Sequence, residues 1–306
     1  MKVNTGRNCF LLFLTASIWG LAFVFQSKGM EYMDPFTFNG VRSLIGAVSL
    51  LLFVLVRNRI TGRSFRQLNK KLTWKAGISC GIVLTIASSL QQFGIMYTTV
   101  GKAGFITTLY IIFVPIAGLF FRKKVSGVVW IAAGMSAIGM YLLCMTESLS
   151  FNPGDVLVFL CAVAFTIHIM VIDYFSPKTD GVVISLIQFA VCGILCMSAA
   201  FIWGTPAWSQ ITSGVSTLLY AGVMSCAVAY TLQIVGQNGV NPTVAALIMS
   251  LESVVATIAG VLAYEIGFLK VDQTMTGRQV AGCVIVFAAV ILVQLPKEWF
   301  SKKKEA

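Results

Sequence analysis

The chain has 306 residues, 58% of them apolar and only 11% charged, with a net charge of +11. Soluble domains carry about 25% charged residues, so this composition excludes an ordinary globular protein and points to a polytopic membrane protein. The positive excess sits in a few short loops and the tail, as membrane topology requires, which excludes a nucleic-acid surface.

Charge-free runs predict ten spans, at 8–27, 36–56, 76–97, 102–121, 126–145, 154–172, 181–203, 213–235, 241–264 and 278–295. The first run lacks a small-x-small cleavage pattern, so it reads as a retained span and not as a signal peptide. Region 181–251 holds no Asp, Glu, Lys or Arg. It is too long for one helix and divides at GTPAWSQITS (204–213) and GQNGVNP (236–242). Trp74, Trp130, Trp203, Trp208 and Trp299 lie near span ends, where indole suits the membrane interface. Gly77 with Gly81, Ala132 with Ser136, and Ala256 with Gly260 have the spacing of close helix contacts. Seventeen of the 22 Lys and Arg residues fall on the side that holds both termini, four fall on the other, and Arg42 lies inside span 2. That asymmetry predicts cytoplasmic termini.

The eight cysteines lie in or beside apolar spans, with no C-x-x-C, and read as packing residues; neither a disulfide framework nor a zinc site is expected. His168 is the only histidine, which excludes two-histidine metal motifs. No G-x-x-x-x-G-K-[ST] occurs, so the chain is not expected to use ATP. It also has no G-x-S-x-G and no paired acidic motif, which argues against an intramembrane enzyme. No metal and no cofactor are expected.

The chain repeats itself. Leu90–Tyr110 aligns without gaps on Leu232–Glu252, matching Gln91 with Gln233, Gly94 with Gly236, Ala103 with Ala245 and Thr108 with Ser250. In this register Tyr110 takes the place of Glu252. Arg42 falls opposite Gln188, and Trp19 opposite Phe165. Five spans per half is an odd number, so the second half (151–306) must be inverted relative to the first (1–150). The expected fold is an all-α integral membrane protein of ten transmembrane helices, built as two inverted five-helix repeats around a central cavity. Inverted repeats with a midplane site are a common secondary-transporter design.

ASIWGLAFVFQSKG…DPFTFNGVRSLIGA and SSLQQFGIMYTTVGKAGFITTLYIIFVPIAG in the first half resemble EamA-type carriers of the drug/metabolite transporter superfamily. GDVLVFLCAVAFTIHIMVIDYFS and AYTLQIVGQNGVNPTVAALIMSLESVVA are similar to the family's spans 6, 8 and 9. The resemblance implies ten helices, cytoplasmic termini, a central cavity and export of small metabolites, often amino acids. The chain departs from the family at Ser253, where a proline commonly follows the glutamate of span 9. Any kink which that proline supplies is then expected to be lost, apart from the weak bend that serine back-bonding gives.

Glu252 is the leading site residue. It lies ten residues past Pro242, about 15 Å along a helix and near the middle of a bilayer core about 30 Å thick. Its functional reading is a carboxylate that exchanges a proton or binds a cationic group. The alternative is a structural carboxylate tied to polar groups or a helix terminus. Tyr230, Gln233 and Gln237 share one face of span 8, and Ala103, Thr107, Tyr110 and Val114 form the matching stripe of span 4. Thr15, Trp19 and Gln26 mark span 1, and Gln91 is preferred over Gln92 because its repeat partner is Gln233. His168 reads either as a satisfied hydrogen-bonding residue or as a proton relay. Arg42 is expected to pair with a loop carboxylate such as Asp34, ahead of snorkelling outward or attracting an anionic substrate group. The expected substrate-binding set is Trp19, Gln91, Tyr110, His168, Tyr230, Gln233 and Glu252, with Glu252 and His168 as the proton-coupling candidates.

The expected protein is a secondary transporter working by alternating access in the cytoplasmic membrane of a bacterial cell. Its partners are a small-molecule substrate, the lipid bilayer and protons, with no nucleic acid. A facilitative channel or a non-transporting sensor is the alternative.

Overall fold

The starts of several helices are written in their capping residues. Asp34 accepts from Phe36 N and Thr37 N at 3.0 Å each, with Pro35 at the first helical position. Asn241 does the same for Thr243 N at 2.9 Å, again ahead of a proline. Asp180 accepts from Val182 N at 2.9 Å. Each cap satisfies backbone donors that a helix start leaves open.

The structure is a computed structural model that describes residues 5–62, 69–120, 126–144, 153–270 and 276–294. All regular elements among these residues are helical. In chain order they are α1 (Thr5–Gly29), α2 (Pro35–Thr61), α3 (Lys70–Ile95), α4 (Val100–Thr108), α5 (Tyr110–Phe120), α6 (Gly127–Cys144), α7 (Pro153–Phe175), α8 (Gly181–Trp203), α9 (Trp208–Ser213), α10 (Val215–Leu219), a π-helical segment (Tyr220–Ala229), α11 (Tyr230–Gln237), α12 (Pro242–Met249), α13 (Leu251–Glu265) and α14 (Gly277–Gln294). Among the described residues, eight rods are long and apolar enough to cross a membrane, while Gly127–Gly139 and Gly277–Leu292 are shorter apolar helices. The predicted spans 102–121 and 241–264 are each divided in two, and the predicted span 213–235 is π-helical in its middle. Trp299 and the basic tail lie outside the described residues, as do Lys2, Arg63, Arg66 and Arg122–Lys124.

Large apolar side chains such as Phe53, Ile131, Phe201 and Val284 cover the outside of the bundle, as lipid contact demands. Trp74, Trp203 and Trp208 are exposed near helix ends. The interior joins Leu12, Leu84, Ile111, Cys161, Phe189 and Met249 from both halves of the chain. Among the described residues, no two cysteines form a disulfide.

Glycines set how closely the helices approach. A Cβ on Gly94 would meet Val158 and the Gly154 carbonyl, and one on Gly236 would meet Leu12 and the Asn8 carbonyl. Likewise, a Cβ on Gly81 would meet Val191 and the Gln188 carbonyl, and one on Gly222 would meet Ile45 and the Arg42 carbonyl. These approaches replace the missing hydrophobic drive between helices in lipid with dense van der Waals packing.

Polar links close the two ends of α3. Beyond its C-terminal end, Lys102 Nζ lies 2.6 Å from Asp155 Oδ2, and Thr98 Oγ1 donates to Asp155 Oδ1 at 3.1 Å. Beside its N-terminal end, the Thr73 and Thr179 hydroxyls lie 2.6 Å apart, and Arg57 bridges Asp180 at 2.9 Å.

Gly94→Leu and Gly236→Leu are each expected to destabilise the folded protein by about 1–3 kcal/mol through overpacking. Gly134→Ala, where a Cβ meets nothing within 4 Å, is expected to be neutral or to gain up to about 1 kcal/mol. Thermal unfolding in detergent compares the three.

Candidate functional site

Two helix breaks build the site. At the first, Thr108 Oγ1 donates to Phe105 O at 2.8 Å, and Leu109 N donates to Ile106 O at 3.2 Å. At the second, Ser250 Oγ donates to Leu247 O at 2.7 Å, while Ser253 N and Oγ both reach Ser250 O, at 3.1 and 2.8 Å. Bonds to the third preceding residue tighten the ladder locally and interrupt the α-helix. The break beside Glu252 is therefore present with Ser253 where the resemblance leads one to expect a proline, and the Ser250 and Ser253 hydroxyls bond back across it.

Each break starts a new helix in the interior of the bundle. Tyr110 opens α5, and Glu252 stands in the first turn of α13. A helix start favours a carboxylate through its open N–H groups and its dipole. Tyr110 Oη donates to Glu252 Oε1 at 2.9 Å. Both residues are buried, at 2% and 3% exposure.

A narrow pocket of about 30 Å³ adjoins the pair, room for about one or two waters. Its walls carry Trp19 and Gln26 from α1, Gln91 from α3, Thr107 and Tyr110 from the first break, and Phe165 from α7. Ser225, Tyr230 and Gln233 come from the π segment and α11, and Met249 and Glu252 from the second break. Gln91 Nε2 donates to Thr107 Oγ1 at 3.2 Å. The Trp19 and Tyr230 rings meet edge-on with centroids 4.6 Å apart.

Six of the seven expected site residues thus converge: Trp19, Gln91, Tyr110, Tyr230, Gln233 and Glu252. His168 does not line the pocket. Its Nε2 lies 3.1 Å from Gln188 Oε1, and its ring stands 6.0 Å from that of Tyr230, one layer behind the wall. Gln237 is buried outside the pocket, and Thr15 donates to Ala229 O at 3.2 Å.

Arg42 overturns its expected pairing. Asp34 is occupied capping α2, and no ion pair joins the two. The arginine turns inward, lines the pocket, and carries its guanidinium 5.3 Å from the Phe38 ring. The position inside α2 was legible, but its distance from the span end favoured a loop partner over the interior. Met249 was also missed, although the repeat aligns it with Thr107, and Phe165 was noticed only as the counterpart of Trp19. Among the described residues, no group of three or more His, Cys, Asp or Glu is arranged to hold a metal.

Comparison with known proteins follows the same division of the chain. The profile of the EamA-like transporter family matches residues 7–145 and matches again over 152–295. An uncharacterized transporter of Archaeoglobus fulgidus is 30% identical over 93% of this chain and 84% of its own length. The uncharacterized transporter YwfM of Bacillus subtilis is 27% identical, covering 92% of this chain and 95% of that protein. The uncharacterized inner membrane transporter YedA of Escherichia coli is 24% identical, covering 95% and 92%. A solved crystal structure shares the fold with a TM-score of 0.73 at 17% identity, over 94% of this chain and 98% of the other. With a profile matching nearly its whole length in two copies, the chain belongs to the EamA-like transporter family and is a multi-pass membrane transporter.

Proposed function

We propose that this transporter is a proton-linked secondary carrier. It moves amino acids or related small metabolites out of the cell by alternating access between two inverted five-helix halves. The observation that carries the reading is the pocket, to which the two halves contribute unlike groups at matching positions, Tyr110 and Glu252. At about 30 Å³ it cannot enclose an organic metabolite, so cargo requires the halves to move apart.

Exchanged contacts support the two-half arrangement. Gly94 approaches Gly154 and Val158, and its repeat partner Gly236 approaches Asn8 and Leu12. With Trp19 opposite Phe165, these neighbours are themselves repeat partners. Gly81 with Gln188 and Val191 corresponds in the same way to Gly222 with Arg42 and Ile45. Gly81 and Gly222 stand 141 residues apart, whereas Gly94 and Gly236 stand 142 apart. One extra residue therefore falls between Gly222 and Gly236, where the π segment lies, and a wound-in extra residue is what π geometry accommodates. The Lys and Arg asymmetry supports cytoplasmic termini, which puts the Lys102–Asp155 link on the outer side and the Arg57–Asp180 link on the inner side.

Glu252 is the proton-exchanging group, and Tyr110 holds its carboxyl while the pocket is closed. In proteoliposomes, a pH gradient is expected to accelerate flux of labelled amino acids in the unmodified protein. Glu252→Gln should abolish that acceleration, whereas Tyr110→Phe, which keeps the carboxyl, should retain it. Wild-type flux indifferent to the gradient would sink the proton role, and flux that never saturates or shows no counterflow would sink the carrier.

The Lys102–Asp155 link is the outer closure. Lys102→Met leaves the nearly buried Asp155 carboxylate without its lysine, a costly loss. Hydrogen exchange at 99–108 and 153–160 is expected to quicken about tenfold or more, on the scale of a 1.4 kcal/mol loss, while exchange at 57–61 stays unchanged. Equal quickening at both ends would mean that the link serves general stability and not closure of one side.

A further inference from the structure

Arg42 is a buried charge that the proton-exchange reading leaves without a task. It is 5% exposed, it lines the pocket, and its Nε has no hydrogen-bond partner. The titratable groups around it are Tyr230, Cys226 and Cys196, with Glu252 lining the same pocket. Glu252 is the one acid among them, and the Tyr110 hydroxyl holds its Oε1. No ion pair joins Arg42 to a carboxylate among the described residues. Taking a guanidinium out of water without a counter-ion costs several kcal/mol, and a merely structural position would be filled more stably by an apolar side chain.

Other atoms in the same wall are open as well. Trp19 Nε1 is a buried donor without a partner, and Gln26 Oε1 and Gln233 Oε1 are buried acceptors without one. Donors therefore accompany Arg42, and acceptors occupy the remaining wall beside aromatic rings from Trp19 and Tyr230. This set complements a ligand that has one anionic group, at least one N–H donor and an apolar portion.

We infer that Arg42 is the anchor for the anionic group of the cargo, and that this group is a carboxylate. The planar fork of a guanidinium matches a carboxylate through two parallel bonds. Arg42 is the only cation among the lining residues, so the site neutralises a single negative charge. The open amide oxygens of Gln26 and Gln233 accept from the N–H groups of an amino or acylamino acid. Describing the bound acid as cargo rests on the carrier reading, whereas the binding itself does not.

The test uses the purified full-length protein in detergent and matched ligand pairs. These are leucine and leucinamide, phenylalanine and phenylalaninamide, and N-acetylphenylalanine and its amide, each titrated by calorimetry. At least one acid is expected to bind ~30-fold or more tightly than its amide, the scale of losing one partner of a buried charge pair. Arg42→Met should remove that preference, so that acid and amide bind alike, and Arg42→Lys should keep part of it. If Arg42→Met does not elute as a monodisperse species, Arg42→Gln replaces it in the same comparison. Acids that bind no better than their amides, an absence of binding by every acid, or an acid preference that survives loss of the guanidinium would each overturn the inference. Flux assays separate it from the carrier reading. Acid preference without flux removes the carrier and keeps the anchor, and saturable flux without acid preference does the reverse.

Discussion

The hydrogen bond from Tyr110 to Glu252 is the constraint on which the centre of this molecule turns. A carboxyl group in a bilayer interior needs partners that water would otherwise supply. Here a hydroxyl from the other half of the chain supplies one at 2.9 Å. The break at Ser250 also puts Glu252 in the first turn of α13, where the dipole of a helix start favours a carboxylate. That break and the one at Leu109 bring the side chains of Thr107, Tyr110, Met249 and Glu252 to one small pocket.

The two halves agree where packing is concerned and differ where charge is concerned. Gly94 and Gly236 approach corresponding neighbours, as do Gly81 and Gly222, and Thr108 and Ser250 make the same backward bond. By contrast, Glu252 corresponds to Tyr110, Arg42 to Gln188, Lys102 to Val244 and Asp155 to Cys9. Glycine approaches tolerate little change, since almost any side chain there would strike backbone or a neighbouring helix. Polar positions facing the pocket or the bundle ends have room to diverge, and it is these that give one pocket an acid on one side and a base on another.

Much of this was legible in the sequence, for identifiable reasons. Apolar runs report spans because lipid penalises charge along a whole helix, and the structure adds where several of them start, at the caps Asp34, Asp180 and Asn241. Six pocket residues were legible because a polar stripe within lipid must face protein or a cavity. Arg42 was not, since depth along a helix does not say whether a long side chain turns towards the interface or the interior. The place of His168 was not legible for a related reason: a lone intramembrane histidine behind the wall, with Nε2 against Gln188, looks in sequence the same as one facing a pocket. The π segment left no compositional trace, and only the change of register between Gly81/Gly222 and Gly94/Gly236 marks it.

Ser253 bears on how firmly Glu252 is held. A proline there would lack an N–H and would fix the interruption covalently. Ser253 keeps its N–H and gives it to Ser250 O, and its hydroxyl bonds the same oxygen. The interruption therefore rests on hydrogen bonds, each worth about 0.5–1.5 kcal/mol net, and not on a missing donor. The first half reaches the same geometry at Thr108, with Pro115 about two turns further on in α5. In this chain the break that sets the depth of the pocket carboxylate is held by exchangeable bonds, so the strength with which Tyr110 grips Glu252 and the strength of the break beneath it are of the same order.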